Sequence, residues 1–403
     1  MNHLLDTLSL PPPADAELAA AVHRQYSLKP GVHDTRIQVA VVRGIVRLTG
    51  FTDNLLSLER AEELARAVNG VRGVVNELQM RTADLADELL QQRAAALILA
   101  ECGPHPSVQV TVQHATATLS GVVDSWVVKQ WLLRVVKQVV GIWHVQDRLA
   151  CTGAQGISDA DLSLYLDEQL SWDAYLRADG VDVQVQRGRV RLRGAVDSDC
   201  TRSRLVATAW AAGATAVDAG QLAVGVWARP PAEPRAPRLR VPDSASEQAI
   251  HDAWQLDERL GTDLPALQVV NGVATLNGAV STVRARRAAE QDARNATGIW
   301  HVNNHLRVWP RRLPDDAELL HTLQRAQAHD AYVQALPVEW VVDHGRAILR
   351  GTVPGHFEKA RLEELAAGTA GVLSVVNGLL VQTHASLPPR PAAPSDYPPA
   401  LVA

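Results

Sequence analysis

The sequence predicts an α+β fold in which one unit of about 70 residues occurs five times along a chain of 403 residues. The first observation is a recurring Leu-x-Gly triplet, whose glycines lie 71, 73, 84 and 73 residues apart: Gly50, Gly121, Gly194, Gly278 and Gly351. The second is a leucine 28 residues after each glycine: Leu78, Leu149, Leu222, Leu306 and Leu379. The third is a small residue 20 positions after each glycine: Gly70, Gly141, Ala214, Gly298 and Gly371. Five matches at a fixed internal spacing indicate tandem copies of one structural unit.

Two alternating runs before each of these glycines predict a β-hairpin. In copy 3, residues 181–185 and 189–193 alternate, which places one set of side chains on a single face of each strand. Glycine at the joint supplies the positive φ of a tight turn. The joints are Arg43-Gly44, Arg187-Gly188, Asn271-Gly272 and His344-Gly345, whereas copy 2 has His114-Ala115.

Segments with helical periodicity lie both after and before the hairpin. In copy 1, Leu58, Ala61 and Leu64 fall on one stripe, and the small residue 20 positions after the glycine suits a helix end. A third strand follows, and its recurring leucine is expected to be buried. Each copy opens with another helix behind polar caps, such as Ser158-Asp159 or Asp315-Asp316. The predicted order is αββαβ, a three-stranded sheet with two helices on one face.

This unit resembles the BON domain, the bacterial OsmY and nodulation module. The resemblance rests on a G-V-x-x-L-x-G hairpin at residues 272–278 and a G-V-x-x-V-x-N-x-L strand at residues 371–379. Copies 1, 4 and 5 match well, copy 2 lacks the turn glycine, and copy 3 is degenerate at Ala214 and Gly220. The resemblance implies a binding module of the bacterial envelope, associated with osmotic or other stress and with phospholipid contact. A related intracellular protein with a BON domain beside a LysM domain binds potassium.

The boundaries follow from the repeat and from proline-rich stretches. We expect a BON-like unit 1 at 15–81, unit 2 at 83–151, a degenerate unit 3 at 158–228, unit 4 at 244–309 and unit 5 at 314–383. Residues 229–243 form a Pro- and Arg-rich linker, which is expected to be extended and semi-rigid. The Pro-rich tail at 386–403 is expected to be disordered.

Composition narrows the function classes. A net charge of −5 argues against nucleic-acid binding, and three cysteines exclude a disulfide framework. No apolar run has the roughly 20 residues of a membrane-spanning helix. The N-terminus lacks the pattern of a secretory signal. We therefore expect a cytoplasmic protein, with the periplasm or envelope as the alternative that the family resemblance suggests.

The sequence supplies no set of catalytic residues. No nucleophile, base and orienting group can be assembled, and the glycine turns lack the Lys-Ser/Thr of a phosphate loop. An active site in a repeat protein also requires polar residues that only one copy carries or a pocket between copies. The interpretation is a non-enzymatic protein without a metal or cofactor.

Tryptophan supplies one candidate contact surface. Trp143 and Trp300 stand in the same phrase, Gly-Ile-Trp-His-Val, of copies 2 and 4, where the other copies have Arg72, Ala216 and Leu373. Such a tryptophan can close the end of its own core, or it can anchor an interface with another unit, another chain or a lipid surface. Because three copies manage without it, we predict that Trp143 and Trp300 are partly exposed and belong to equivalent contact surfaces.

A basic cluster is the second candidate. Arg284, Arg286 and Arg287 lie near the start of the second helix of copy 4. Arginines there can attract anionic headgroups, or they can serve only solubility.

Three hypotheses remain open. The leading one is a multi-BON binding or scaffold protein at the membrane periphery or envelope, in contact with anionic phospholipid. The second is a cytoplasmic scaffold that binds protein partners or self-assembles as a homo-oligomer. The third and weaker one is a potassium-responsive sensor.

Overall fold

A computed structural model of the chain describes residues 13–29, 31–32, 36–123, 126–151, 159–173, 181–196, 199–224, 241–261, 264–310, 312 and 314–382. Five units follow one another in these ranges and confirm the predicted α+β class and copy number. Residues 229–240 of the expected linker and the whole expected tail at 386–403 lie outside the described residues.

The units of the N-terminal part repeat one order of elements. Unit 1 consists of α1 (Asp15–Leu28), β1 (Ile37–Val42), β2 (Ile45–Thr52), α2 (Leu55–Ala67), β3 (Gly73–Asn76) and β4 (Gln79–Met80). Unit 2 consists of α3 (Asp87–Cys102), β5 (Val108–Gln113), β6 (Thr116–Val123), α4 (Trp126–Lys137) and β7 (His144–Cys151). Unit 3 consists of α5 (Asp159–Trp172), β8 (Val181–Gln186), β9 (Arg189–Val196), α6 (Asp199–Ala211) and β10 (Ala216–Val224).

Units 4 and 5 repeat that order with interrupted strands. Unit 4 consists of α7 (Asp243–Leu256), β11 (Ala266–Val270), β12 (Val273–Asn277), β13 (Ala279–Val280), α8 (Val283–Asn295), β14 (His301–Asn304) and β15 (Arg307–Val308). Unit 5 consists of α9 (Asp316–His329), β16 (Val338–Asp343), β17 (Arg346–Val353), α10 (His356–Gly368), β18 (Ser374–Asn377) and β19 (Leu380–Val381). Helix α7 begins inside the range that the sequence assigned to the linker.

The strand order is the same in every unit. The first two strands pair antiparallel as a hairpin, and the last strand pairs parallel with the second, as β3 does with β2. The second strand is therefore central, and the second helix is the crossover between the two parallel strands. The two helices pack on one face of the sheet, and the other face is called the open face below.

Alternation along the strands fills each core from one face. In unit 1, Val46 and Leu48 on the central strand pack against Leu18 and Leu64 on the two helices. Burying each such side chain stabilises the unit by about 1.5–3 kcal/mol. The predicted burial of the recurring leucine is confirmed for Leu149, Leu222, Leu306 and Leu379, which are at most 5% exposed, whereas Leu78 is half-buried against the core of unit 1.

An aspartate at the start of the first helix fixes the hairpin turn in every unit. The carboxylate of Asp243 accepts the backbone N–H groups of Asn271 at 2.7 Å and Gly272 at 2.9 Å. The other four carboxylates that bind their turns in this way belong to Asp15, Asp87, Asp159 and Asp316. Both turn residues have positive φ, as a two-residue hairpin loop requires, including His114 and Ala115 of unit 2.

This contact corrects the assignment of the polar caps. Asp315 does cap α9, since its Oδ1 accepts the N–H of Glu318 at 2.7 Å. Asp316 instead binds the turn of the neighbouring hairpin, and the two backbone N–H groups lower the pKa of its carboxyl. The aspartate therefore joins the first helix to the hairpin 28 residues later.

We expect Asp243→Ala to lower the free energy of unfolding by roughly 1–3 kcal/mol, because two backbone donors lose a charged acceptor. Chemical denaturation of the full chain measures the loss. The matched control is Ser244→Ala at the next, exposed residue, which should change stability by less than about 0.5 kcal/mol. Equal losses in the two variants would show that the aspartate does not stabilise the turn.

Candidate functional site

The open face of unit 1 is covered by the helices of unit 4. Ile45 and Val75 lie on neighbouring strands of that face, and both side chains are fully buried. They share a hydrophobic cluster with Ala249 on α7 and with Ala296, which follows α8. Gly73 lies between them, and a Cβ there would come within 3.3 Å of the Ile45 side chain. The contact is therefore a sheet face packed closely on a pair of helices.

Ion pairs fix the register of this contact. Asp252 on α7 is 3% exposed and binds Arg43 at 3.2 Å and Arg72 at 2.7 Å, both from the hairpin end of unit 1. Arg43 also donates to Gln255 at 3.0 Å. The loss of both arginines would leave the buried Asp252 carboxylate unpaired, and an unpaired buried charge typically costs about 3–5 kcal/mol.

A second group of charges is buried beside this contact. Arg259 of unit 4 binds Asp257 at 2.7 Å, and it lies 3.8 Å from Asp292 and 3.9 Å from Glu77 of unit 1. Neither oxygen of Asp292 has a hydrogen-bond partner among the described residues. Burial raises the pKa of the Asp292 carboxyl well above its usual value, and the charge of Asp257 acts in the same direction.

Units 2 and 5 meet through the start of α10. The ring of His356 stacks on Trp143, with centroids 5.7 Å apart. The backbone N–H of His356 donates to Asp84 at 3.0 Å, and its Nε2 lies 3.1 Å from the carbonyl oxygen of His114 in the turn of unit 2. Phe357 is buried in the core of unit 2. A helix of unit 5 thus contacts the hairpin end of unit 2, much as unit 4 contacts that of unit 1.

Trp172 of unit 3 contacts the helices of units 1 and 2. The ring of Trp172 lies 5.3 Å from the guanidinium carbon of Arg60 on α2 and 4.5 Å from that of Arg134 on α4. The backbone oxygen of Trp172 also accepts a hydrogen bond from Arg60. Stacking of arginine on tryptophan is a favourable cation–π contact.

A cavity of about 890 Å³ lies where units 1, 2, 4 and 5 meet. Its walls include Glu62, Glu77, Trp143, Arg259, Arg284 and Phe357. Several charged groups in the walls are paired, as Glu77 is with Arg47 at 2.6 Å and Arg361 is with Asp330 at 2.8 Å. The Nε1 atom of Trp143 is buried without a hydrogen-bond partner among the described residues. Such pairing favours a structural role for these charges over acid–base chemistry.

Among the described residues, one group of side chains comes close enough together to hold a metal ion, and it consists of Asp316, Asp343 and His344. The Asp316 carboxylate already accepts two backbone N–H groups of the hairpin turn, and Asp343 lies 2.7 Å from Nδ1 of His344. These bonds account for the cluster as part of the repeated turn.

The predicted tryptophan surfaces are not equivalent. Trp143 is 9% exposed under His356, so the prediction that it is partly exposed is wrong, and it belongs to a contact with another unit. Trp300 is 74% exposed, and its Nε1 donates to the backbone oxygen of Asn271 at 2.8 Å. The two positions differ because α10 covers one hairpin end and leaves the other open.

The arginine cluster belongs mainly to the contact between units 4 and 5. Arg287 lies 3.3 Å from Glu363 and Arg284 lies 3.9 Å from Glu364, both acceptors being on α10. Arg286 is exposed. All three stand at the start of α8, whereas Trp300 follows its end, roughly 20 Å away along a helix of this length. The structure therefore does not join the tryptophan and the arginines in one surface.

Sequence reasoning missed the covered face of unit 1, although a signal for it exists. Ile45 and Val75 stand where unit 2 has Thr116 and Gln146, at the same distances from the repeat glycine. Apolar residues on both faces of a strand indicate that both faces are buried. Comparing the copies position by position would have found this face.

We expect Asp292→Asn to raise the thermal stability of the full chain at pH 8, because the neutral amide removes a buried carboxyl that resists ionisation. A folded-state pKa above the unfolded value means that stability is greatest below the unfolded pKa and declines as the pH rises toward the folded value. The advantage of the variant should therefore shrink at pH 4. Asp257→Asn is the control and should destabilise, since Asp257 is the ion-pair partner of Arg259. A lower melting temperature for Asp292→Asn at pH 8 would contradict this account.

The BON domain family matches the chain at residues 14–82, 86–153, 158–225, 243–310 and 315–383. Two solved structures of CdsD, a structural protein of the type III secretion system of Chlamydia trachomatis, are also similar to it. One is 16% identical, covers 58% of this chain and 97% of that chain, and has a TM-score of 0.16. The other, a C-terminal domain, is 18% identical, covers 55% and 98%, and has a TM-score of 0.15. Scores this low carry no argument about the arrangement of the units.

None of the curated proteins compared with the chain matches it. The family matches recur five times, once for each unit that the structure describes, and together they span most of residues 14–383. This protein therefore belongs to the BON domain family.

Proposed function

We propose that this protein is a non-enzymatic scaffold that binds other folded proteins through the open sheet faces of its repeated units. The observation that supports the proposal is the contact between units 1 and 4, in which an open face holds a pair of helices. Because all five units share one architecture, other open faces are suited to the same kind of contact.

The open face of unit 2 is polar and that of unit 5 is apolar, and this difference favours unit 5 as the unit that binds another protein. In unit 2 the three central positions are Thr111, Thr118 and Gln146, as expected of a face in water. In unit 5 the same positions hold Val341, Ile348 and Val376, which are aligned across the three strands. We call this row, with Leu373 and Leu380 beside it, the unit 5 face.

The unit 5 face is uncovered within the described residues. Val376 is 36% exposed, Leu373 is 37% exposed and Leu380 is 66% exposed. Contiguous exposed apolar residues on a folded protein mark interaction sites. A net charge of −5 favours protein binding over contact with an anionic lipid surface, because like charges repel each other. We propose the cytoplasm as its location, with the periplasm or envelope as the alternative.

A photoreactive residue placed at Val376 tests the proposal in native cells. We expect irradiation to give discrete crosslinked species from position 376, and none from the matched position Gln146 on the polar face of unit 2. The mass of each product distinguishes a second copy of the chain from another protein, and either product supports a scaffold. Absence of products from position 376 would overturn the proposal.

Contact with anionic phospholipid is a second candidate, and the exposed Trp300 favours it. Val270 at the same hairpin end is 51% exposed, so an indole and an aliphatic side chain project together from unit 4. Tryptophan suits a membrane surface because one end of the ring is apolar and its N–H is polar. None of the described helices combines the length and apolarity that a bilayer crossing requires. Any membrane contact of this kind is therefore proposed as peripheral.

Cosedimentation with phosphatidylglycerol vesicles tests the lipid contact. We expect Trp300→Ala to reduce the bound fraction several-fold, whereas Trp210→Ala, which removes a 51% exposed tryptophan from unit 3, should leave it unchanged. Equal binding of the wild type and Trp300→Ala would refute the lipid candidate and leave the scaffold proposal standing. No contact among the described residues supports the potassium-responsive alternative, and we do not propose it.

A further inference from the structure

The outer surface of α3 in unit 2 is a second apolar surface that no described residue covers. Leu99 is 61% exposed, Leu89 is 38% exposed, and Ala96 between them is also exposed. We call these three residues the α3 face. Unit 3 does not account for it, because Trp172 contacts Arg134 on α4, the other helix of unit 2.

The α3 face corresponds to the surface of α7 that binds unit 1. Counted from the aspartate that fixes each turn, Ala96 takes the position of Asp252, and Leu99 takes that of Gln255. Asp252 and Gln255 are the acceptors for Arg43 and Arg72 of unit 1. Two positions of the helix surface that are polar in unit 4 are therefore apolar in unit 2, where both residues are exposed.

The unit 5 face shows the complementary change on the sheet side. Leu373 stands 22 residues after its repeat glycine, where unit 1 has Arg72. The two residues of the ion pair between Arg72 and Asp252 are thus replaced by apolar residues. Leu373 of the unit 5 face takes the position of Arg72, and Ala96 of the α3 face takes the position of Asp252. Arg346 and Arg350 lie beside the apolar row on the same strand, and each is opposite an acidic residue of the neighbouring strand, Asp343 and Glu339.

The two surfaces cannot meet within one chain. The unit 5 face lies opposite α9 and α10, and α10 is the element that contacts unit 2. The open face of unit 5 therefore points away from unit 2 of the same chain. Among the described residues, the unit 5 face and the α3 face of one chain therefore do not face each other, and a second chain can bring such a pair together.

Building on the proposed scaffold function, we infer that the unit 5 face binds the α3 face of a second copy of this chain. The contact repeats between chains the packing of a sheet face on helices that joins units 1 and 4 within the chain. It is heterologous, since the two surfaces are different, and it generates a ring if the rotation closes or a filament if it does not.

Two variants of the full chain test this contact. The sheet variant, Val341→Thr with Ile348→Thr and Val376→Gln, carries the residues that unit 2 has on its own solvent-exposed face. The helix variant is Leu89→Gln with Leu99→Gln. The control changes the polar face of unit 2 by Thr111→Ser, Thr118→Ser and Gln146→Ser. Light scattering after size exclusion gives the mass of each protein as a function of concentration, and thermal melting verifies that each is folded.

The expected result is association of the wild type and the control to at least twice the chain mass, with each variant alone monomeric. Mixing the two variants should give a one-to-one dimer and nothing larger, because one intact sheet face and one intact helix face remain. A wild type that stays monomeric at all concentrations would overturn the inference, as would a helix variant that still self-associates. A crosslink from position 376 to a different protein would also overturn it, while supporting the scaffold function.

Discussion

The two helices of a unit cover one face of its three-stranded sheet. How the units associate depends on whether the other face is apolar and covered by another unit or polar and exposed to water. In unit 1 that face is apolar at Ile45 and Val75, and the helices of unit 4 bury both side chains fully. In unit 2 it carries threonine and glutamine and remains exposed. The sheet architecture is the same in both units, so the polarity of a few outward positions decides whether a unit binds another through its open face.

Ion pairs fix the register of the contact between units 1 and 4, and burying their charges costs free energy. Asp252 lies almost completely out of water and is compensated by two arginines of the partner unit. Asp292 has a more distant cation, Arg259 at 3.8 Å, and its pKa is raised first by burial and then by the charge of Asp257. Apolar faces alone would tolerate several alignments, whereas a buried aspartate is satisfied in the alignment that brings Arg43 and Arg72 to it.

The contacts between units explain why binding is a better account of this protein than catalysis. Several charged residues that line the central cavity form ion pairs, such as Glu77 with Arg47 and Arg284 with Glu364. The repeated turn aspartates bind the hairpin in all five units of this chain, which accounts for them as part of the repeated structure. What differs from unit to unit is the surface: a covered aliphatic face, a polar face, an exposed tryptophan and the uncovered unit 5 face.

The sequence by itself determined the unit. Glycine spacing, strand alternation and helical stripes are local patterns, and they predicted five copies, the order αββαβ and burial of four of the five recurring leucines. Trp143 and Trp300 show where this reasoning ends, because the tryptophan of the shared phrase Gly-Ile-Trp-His-Val is buried in unit 2 and exposed in unit 4. Local sequence fixes the backbone of that phrase. Whether the tryptophan side chain is exposed to water depends on α10, which lies more than 200 residues from Trp143 along the chain. Only the tertiary structure decided this, because solvent exposure depends on which units pack together.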